Sequence, residues 1–421
     1  MHAVEKILAK ASGTGSPKTG EIVDVTVDFA EINDLYLQTI YSFHEMGGKT
    51  VWDSSRVAFV FDHYAPAPTI RSAQNHAEMR AFAKQQSLVY HFDTDAGVCH
   101  QVLPESGLVY PGMVLIATDS HTTTHGAFGA FGTGVGATDM ATILITGKLW
   151  LRIPEIIEIR LDGLPPQGTM PKDVILYVMK KIRSDGAVYK AIDFTGSYVE
   201  QLDVAGRMVL CNMAVEMGAK TAYIQPNQQV LDYIASRAVR PYEEQYTDPD
   251  YVYAQSHVFD VSGLSPQLAL PSNVDNVFPI EEVPRARVDQ GFIGACTGGR
   301  TQDIRAAWQI LKGRHIPRGI RLIVIPASAE IMRECMHNGY LQDLSEAGAT
   351  ISTPGCGPCL AAHEGVLAPG EVCITASNRN FYGRMGSREA NIYLASPATV
   401  AASVLNGCIT DPRTVDMGVL A

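Results

Sequence analysis

Residues Gly112–His121 read GMVLIATDSH, a run of Val, Leu, Ile and Ala that stops abruptly on Asp119, Ser120 and His121. A short apolar run of this kind, introduced by glycine, predicts a strand buried on both faces, as in a parallel sheet. Its polar cluster then falls just past the strand's carboxyl end. The construction recurs: RVAFVFDH (Arg56–His63) ends on Asp62 and His63, GFIGACTGG (Gly291–Gly299) runs into Cys296, and EVCITASNRN (Glu371–Asn380) ends on Asn378 and Arg379. PEIIEIRLDG (Pro154–Gly163) and IRLIVIPAS (Ile320–Ser328) add two more strands. PKDVILYVMKKIRSDG (Pro171–Gly186) and RTQDIRAAWQILKG (Arg300–Gly313) carry helical periodicity, the first opened by Pro171 and closed at Gly186. Strands alternating with helices define an α/β chain with largely parallel sheets. Ligands of such sheets bind beyond the carboxyl ends of the strands, so four separate elements deliver chemically capable side chains to one kind of place.

At 421 residues the chain is longer than one hydrophobic core sustains. Connections rich in Pro, Gly and Asp at 161–171, 240–253 and 268–284 divide it into three α/β domains, 1–154, 155–275 and 276–421. The 44 acidic side chains outnumber the 33 basic ones, and the net charge of −11 has the wrong sign for a phosphate-neutralising surface. Nucleic acid is therefore not the expected partner. The N-terminal stretch MHAVEKILAKASGTG has no uninterrupted apolar segment of the signal-peptide kind, and no run approaches the roughly 18 residues that span a bilayer. A cytoplasmic protein without a membrane segment is expected. The glycine-rich HGAFGAFGTGVGATDMATILITG (His125–Gly147) matches neither G-x-G-x-x-G nor a P-loop and reads as tight backbone packed on a ligand or another helix.

Eight cysteines are too few for a disulfide scaffold in a chain of this length. Cys99, Cys211, Cys335, Cys373 and Cys408 sit among apolar neighbours and read as small core residues. Cys356 and Cys359, in PGCGPC, leave three readings open: a dithiol redox pair, half of a zinc site, or part of a larger metal centre. No second close pair completes a zinc site, and Cys296 is the strand-end thiol that would make a third ligand. Three thiolates without a fourth point to a metal centre with one open position. His44, His91, His257 and His315 read as solitary core histidines, whereas Asp62-His63 and Asp119-Ser120-His121 place a carboxylate beside an imidazole. That pairing fixes a tautomer and raises the ring's pKa, as acid-base work near neutrality requires.

Taken together, FDHYAP, GVCHQVLPESGLVYPG, IATDSHTTTHGAFGAFGTGVGATDMA, VLCNMAVEMGAKT, IGACTGG, PGCGPC, SNRNFYGRMGS and YLASPATVAASVLNGCITDPR resemble the aconitase superfamily of iron-sulfur hydro-lyases over almost the whole length. Within it, the wording is most similar to the large subunits of two-chain dehydratases acting on isopropylmalate in leucine biosynthesis, with those of the homoaconitase type next. The resemblance implies three α/β/α domains of the aconitase type with the active site between them. It implies a [4Fe-4S] cluster, one per subunit, held by Cys296, Cys356 and Cys359, with one iron free of protein ligands. Carried over residue by residue, Asp62 and His63 resemble the pair that protonates the departing hydroxyl. His100, Asp119, Ser120, His121, Asn212 and Glu216 resemble the surrounding network, and Gln38, Asn378, Arg379 and Arg384 the substrate-binding groups. The family's base is a serine beside an arginine on a swivelling domain. Here only a closing helix follows the arginine loop, so the resemblance implies a small partner subunit that carries the swivelling domain.

The chain departs from the family wording at Cys296-Thr297-Gly298, where an asparagine is usual, at Ala295, and at Asn33–Tyr36. These changes leave homoaconitase, dimethylmalate dehydratase and maleate or citraconate hydratase as related readings. An iron-sensing RNA-binding protein runs against the acidic balance. A thiol oxidoreductase using Cys356 and Cys359 predicts a colourless protein with a redox-active disulfide.

Overall fold

A computed structural model describes residues 1–415. The first sheet is wholly parallel, built from β2 (Phe29–Asn33), β3 (Val57–Val60), β4 (Tyr90–Phe92), β5 (Val114–Ala117) and β6 (Phe131–Gly134) in the order β4-β3-β2-β5-β6. Every residue of β3 and β5 is buried, as their unbroken apolar runs predict. The chain winds outward from β2 through β3 to β4, then resumes on the other side with β5 and β6. The loops after β3 and β5 therefore flank the one after β2, the crevice where parallel sheets bind ligands. An antiparallel pair, β1 (Ile22–Thr26) with β7 (Lys148–Arg152), stands beside it.

The second sheet is also parallel: β8 (Ile156–Asp162), β9 (Ala191–Thr195), β10 (Thr221–Tyr223) and β11 (Gln255–Asp260), in the order β10-β9-β8-β11. The third runs β13-β12-β18-β17-β14-β15-β16 and comprises β12 (Gln267–Ala269), β13 (Val277–Pro279), β14 (Gln290–Ile293), β15 (Arg321–Val324), β16 (Thr350–Ile351), β17 (Val372–Thr375) and β18 (Asn391–Leu394). Its core from β18 to β16 is parallel, and β12 pairs antiparallel with both β13 and β18. The segment 268–284, read from sequence as a connection, thus contributes an edge hairpin, and this sheet begins ahead of the break expected at 275. One apolar cluster runs from Leu115 and Phe128 through Ile159, Phe194 and Leu210 to Leu394, so side chains from all three sheets share it.

Other local expectations change in detail. The helix opened by Pro171 ends at Ile182, before Gly186, because Arg183 adopts φ 72°, a left-handed conformation that closes the helix without glycine. The glycine-rich stretch packs on a strand: a Cβ at Gly126 would lie 2.0 Å from the Ala222 carbonyl oxygen of β10. His44 and His315 are exposed, and His91 and His257 half-buried, so none is a core histidine. The fully enclosed rings include His2, which bonds Asp193 at 2.9 Å, and His76, which bonds Asp34 at 3.0 Å. Cys99, Cys211, Cys335 and Cys373 are buried, Cys408 half-buried, and all eight cysteines are free thiols.

The helix Cys99–Glu105 is tied to the third sheet at both ends. Val98 N donates to Ala327 O at 2.8 Å, and Ala329 N to Ala96 O at 2.8 Å. Glu105 Oε1 accepts from Ser328 Oγ and Gln101 Nε2, both at 2.8 Å. Burial lifts the Glu105 carboxyl from its ordinary 4.5 to about 7. The folded chain therefore keeps a proton that the unfolded chain releases, and stability falls as pH rises through that window. Glu105→Gln keeps the acceptor and stays neutral. It is expected to be more stabilising at pH 8 than at pH 5, by on the order of 2 kcal/mol, read from denaturation midpoints at the two pH values.

Candidate active site

The strand ends of the first and third sheets face one another across a small, partly open pocket. From the first come Asp62, His63, His100, Asp119 and His121; from the third, Cys296, Cys356, Cys359, Asn378 and Arg384. Asp62 is fully buried and spends both carboxylate oxygens, Oδ1 on His63 Nδ1 at 2.6 Å and Oδ2 on the Cys99 amide at 2.8 Å. His63 Nε2 is thereby aimed into the pocket, 3.6 Å from Asp119 Oδ2. Burial opposes a charged His63 ring, but the Asp62 and Asp34 carboxylates outweigh it and hold the pKa well above the usual value. The geometry is that of a proton donor oriented by a carboxylate.

A second network runs through Asp119. Its Oδ1 meets His100 Nε2 at 2.8 Å and accepts from the His121 amide at 2.7 Å. These histidines outweigh burial and keep the carboxyl well below its ordinary range. His121 Nε2 reaches Glu216 Oε1 at 2.8 Å, and Arg379 Nε donates to the same oxygen at 2.7 Å. Arg379 Nη2 then donates to Ser120 Oγ at 3.0 Å, so Ser120, His121, Glu216 and Arg379 form one chain of contacts. Glu216 is also held low, because His121 and Arg379 overcome its burial.

The thiols occupy the opposite wall. Cys296 lies in the single helical turn Ala295–Gly298 after β14, and Cys356 and Cys359 in the turn after β16; all three are at most 7 % exposed. Asn378, after β17, joins Cys296 to Cys359. Its Nδ2 donates to Cys296 Sγ at 3.2 Å and to Asn212 Oδ1 at 3.1 Å, and its Oδ1 accepts from Cys359 Sγ at 3.5 Å. Arg384 Nη2 approaches Cys359 Sγ at 3.7 Å. Without a metal, burial pushes the Cys296 thiol up to about 12 and Cys356 well above its ordinary value. An exchange partner has little access to such thiols, and little thiolate is present, which runs against a dithiol switch. A metal is what would deprotonate them. Asp62, His63 and Cys356 also place ligand atoms within 4.8 Å of one another, but both Asp62 oxygens are already engaged.

The structure brings fourteen of the fifteen sequence-predicted residues into this connected site. Gln38 is the exception, exposed in the first turn of the helix Gln38–Glu45. Cys99, read as inert, lines the pocket with Sγ 3.7 Å from His100 Nδ1. Asp34 was read only as part of a departure from the family wording. It accepts from the amides of His63 at 3.0 Å and Tyr64 at 2.8 Å, and so fixes the loop that carries His63. Its signal was available, since Asp34 also follows a buried strand run. At Gly298 a Cβ would sit 2.4 Å from the Ala376 Cβ, so this backbone has no room for the usual asparagine.

A parallel-sheet crevice that sets paired imidazoles and carboxylates against three metal-ready thiols belongs to the class of metal-assisted hydro-lyases. The chain is a member of the aconitase family: the model of the aconitase family (aconitate hydratase) matches residues 36–287 and 281–407. It is 48% identical to the 3-isopropylmalate dehydratase large subunit 1 of Methanopyrus kandleri, over 97% of this chain and 98% of that one. It is 47% identical to a Methanothermobacter thermautotrophicus protein named "Probable methanogen homoaconitase large subunit", over 98% of each. The Desulfitobacterium hafniense 3-isopropylmalate dehydratase large subunit is 43% identical over 99% of both. Thermococcus kodakaraensis aconitase X shares the fold at TM-score 0.51 and 12% identity, over 92% of this chain and 93% of that one.

Asn378→Ala removes the amide that joins two thiols and Asn212. It is expected to cost about 1–3 kcal/mol in denaturant unfolding and to speed alkylation of Cys296 in the metal-free chain, read by mass spectrometry.

Proposed function

We propose that this chain is the large subunit of a two-chain hydro-lyase that interconverts 2- and 3-isopropylmalate at a [4Fe-4S] centre held by Cys296, Cys356 and Cys359. The observation that carries this reading is the donor set: three buried thiols, two of them joined through Asn378, facing the Asp62–His63 pair across one pocket. Three cysteine ligands fit a cluster that leaves one position open, and near-full-length similarity to isopropylmalate dehydratase large subunits supports the substrate. When bound, the cluster supplies a Lewis acid for a departing hydroxyl.

The chain's own residues do the rest. Asp62 fixes the His63 tautomer, and His63 delivers a proton from Nε2 to the hydroxyl that leaves and recovers it on rehydration at the neighbouring carbon. Asp119 and His100 hold the adjoining wall in one protonation pattern. Arg384 forks onto a substrate carboxylate, while Arg379, spent on Glu216 and Ser120, fixes the rim. The proton α to a carboxylate needs a base, and a small subunit carrying a swivelling domain with a serine and an arginine supplies it. We read the chain as three α/β units around this pocket, in the cytoplasm, where thiols stay reduced.

A second reading, a homoaconitase large subunit, is favoured by the 47% and 49% identical relatives with that name. Anaerobic reconstitution with a small subunit, followed by assays on isopropylmalate and homocitrate, separates the two. Faster turnover of homocitrate would overturn the first reading, and full-rate turnover by this chain alone would overturn the partner. In the active pair, His63→Ala is expected to lower kcat by about 10²–10⁴-fold, and Cys296→Ser to abolish the visible absorbance of the cluster.

A further inference from the structure

Lys172 occupies the first turn of the helix Pro171–Ile182, yet it is only 2 % exposed. Its Nζ crosses from the second unit to the third and donates to Ser377 O at 2.6 Å, Ala376 O at 3.1 Å and Thr297 Oγ1 at 3.4 Å. One acceptor belongs to the turn that carries Cys296, the other two to the turn that carries Asn378. Thr297 follows Cys296, and Ser377 precedes Asn378, whose amide reaches the Cys296 sulfur. Thr297 Oγ1 closes the arrangement by donating to Ala376 O at 2.8 Å.

All three acceptors are neutral, and among the described residues no carboxylate pairs with Lys172. A buried ammonium without a counter-ion is costly, and a helix N-terminus, with its positive end of the dipole, is the wrong place for a cation. Burial accordingly weakens the ammonium, to a pKa of about 8. The anions whose field would act on it most are Cys296 and Cys359 as thiolates, ahead of Asp303 and Glu216. Cysteines that bind a metal do so as thiolates, and a bound metal group therefore supplies that counter-charge.

We infer that Lys172 is a positioning residue for the cysteine-bound centre: its buried charge offsets the anionic thiolate cage, and its hydrogen bonds lock the Cys296 and Asn378 turns in register. This rests on the cluster reading above and adds to it a residue that touches neither substrate nor cysteine. Buried charge near a cluster tunes its reduction potential, and outer partners of metal ligands typically govern affinity by about 10–100-fold.

The test compares Lys172→Met, Lys172→Gln and Lys172→Arg in the reconstituted chain, reading the cluster's midpoint potential and the rate at which a chelator bleaches its colour. Loss of the charge disfavours the more negative, reduced state. Met and Gln are therefore expected to lower the potential and to speed bleaching by about 10–100-fold, with Arg nearest the parent. If Lys172 only fills space, the order reverses: unbranched Met stays closest and bulky Arg is worst. A parent-like potential in the Met and Gln variants also overturns the inference. Should Met not fold, the Gln and Arg pair decides, since Gln keeps a donor and differs from Arg in charge. A parent chain that stays colourless on anaerobic reconstitution defeats the cluster reading itself, an outcome distinct from a coloured parent with unaffected variants.

Discussion

Asp62 makes three commitments at once. One carboxylate oxygen fixes the His63 ring, the other accepts the Cys99 amide, and its peptide oxygen accepts the Cys356 amide at 2.8 Å. A single buried acid at the end of one strand therefore holds the proton donor, the start of the helix that carries His100, and a thiol from a different sheet. A carboxylate with no water around it is tolerable only when fully bonded, and that requirement ties the two walls of the pocket together. Motion of either wall would strand a buried charge.

The same principle organises the wider site. Glu216 is buried and satisfied by His121 and Arg379; Asp119 is buried and satisfied by His100 and the His121 amide. Glu216 is paired across elements distant in sequence and Asp119 between neighbouring ones, so the acids are held in place before any ligand arrives, as preorganised catalysis requires. Lys172, by contrast, is a buried cation with no carboxylate paired to it among the described residues. That imbalance is what a metal-bound, anionic group would remove.

Much of this was legible in the letters, and the reasons are physical. Buried parallel strands are short, apolar and abrupt, so Val57–Val60, Val114–Ala117 and Val372–Thr375 announce themselves, and the polar residues after them are where a sheet displays chemistry. Single residues that act through backbone contacts leave a weaker trace. Asp34 holds its neighbours' amides, Lys172 is one polar letter in a helical turn, and the Gln267–Ala269 strand is too short to show a period. The histidines mislead for a related reason: an imidazole flanked by apolar letters can point outward, as His44 does, and burial is settled only by what packs over it. Gln38 falls outside the site because the helix Gln38–Glu45 buries Thr39, Ile40, Ser42 and Phe43 and leaves Gln38 exposed.

The choice between substrates rests on what the pocket leaves uncommitted. Arg379 has spent its guanidinium on Glu216 and Ser120, whereas Arg384 lines the pocket with its Nε unpartnered. Beside it stand Val98 and Leu360, apolar and in contact with the Cys296–Cys356 wall. A substrate with an alkyl branch gains from those two by losing water-exposed area, roughly 25 cal/mol per Å². One that presents a third carboxylate there must desolvate it with no second arginine or lysine among the described residues that line the pocket. The arithmetic favours the isopropyl group as long as this chain alone forms that wall, and a homocitrate-specific enzyme would need its extra cation from the partner subunit.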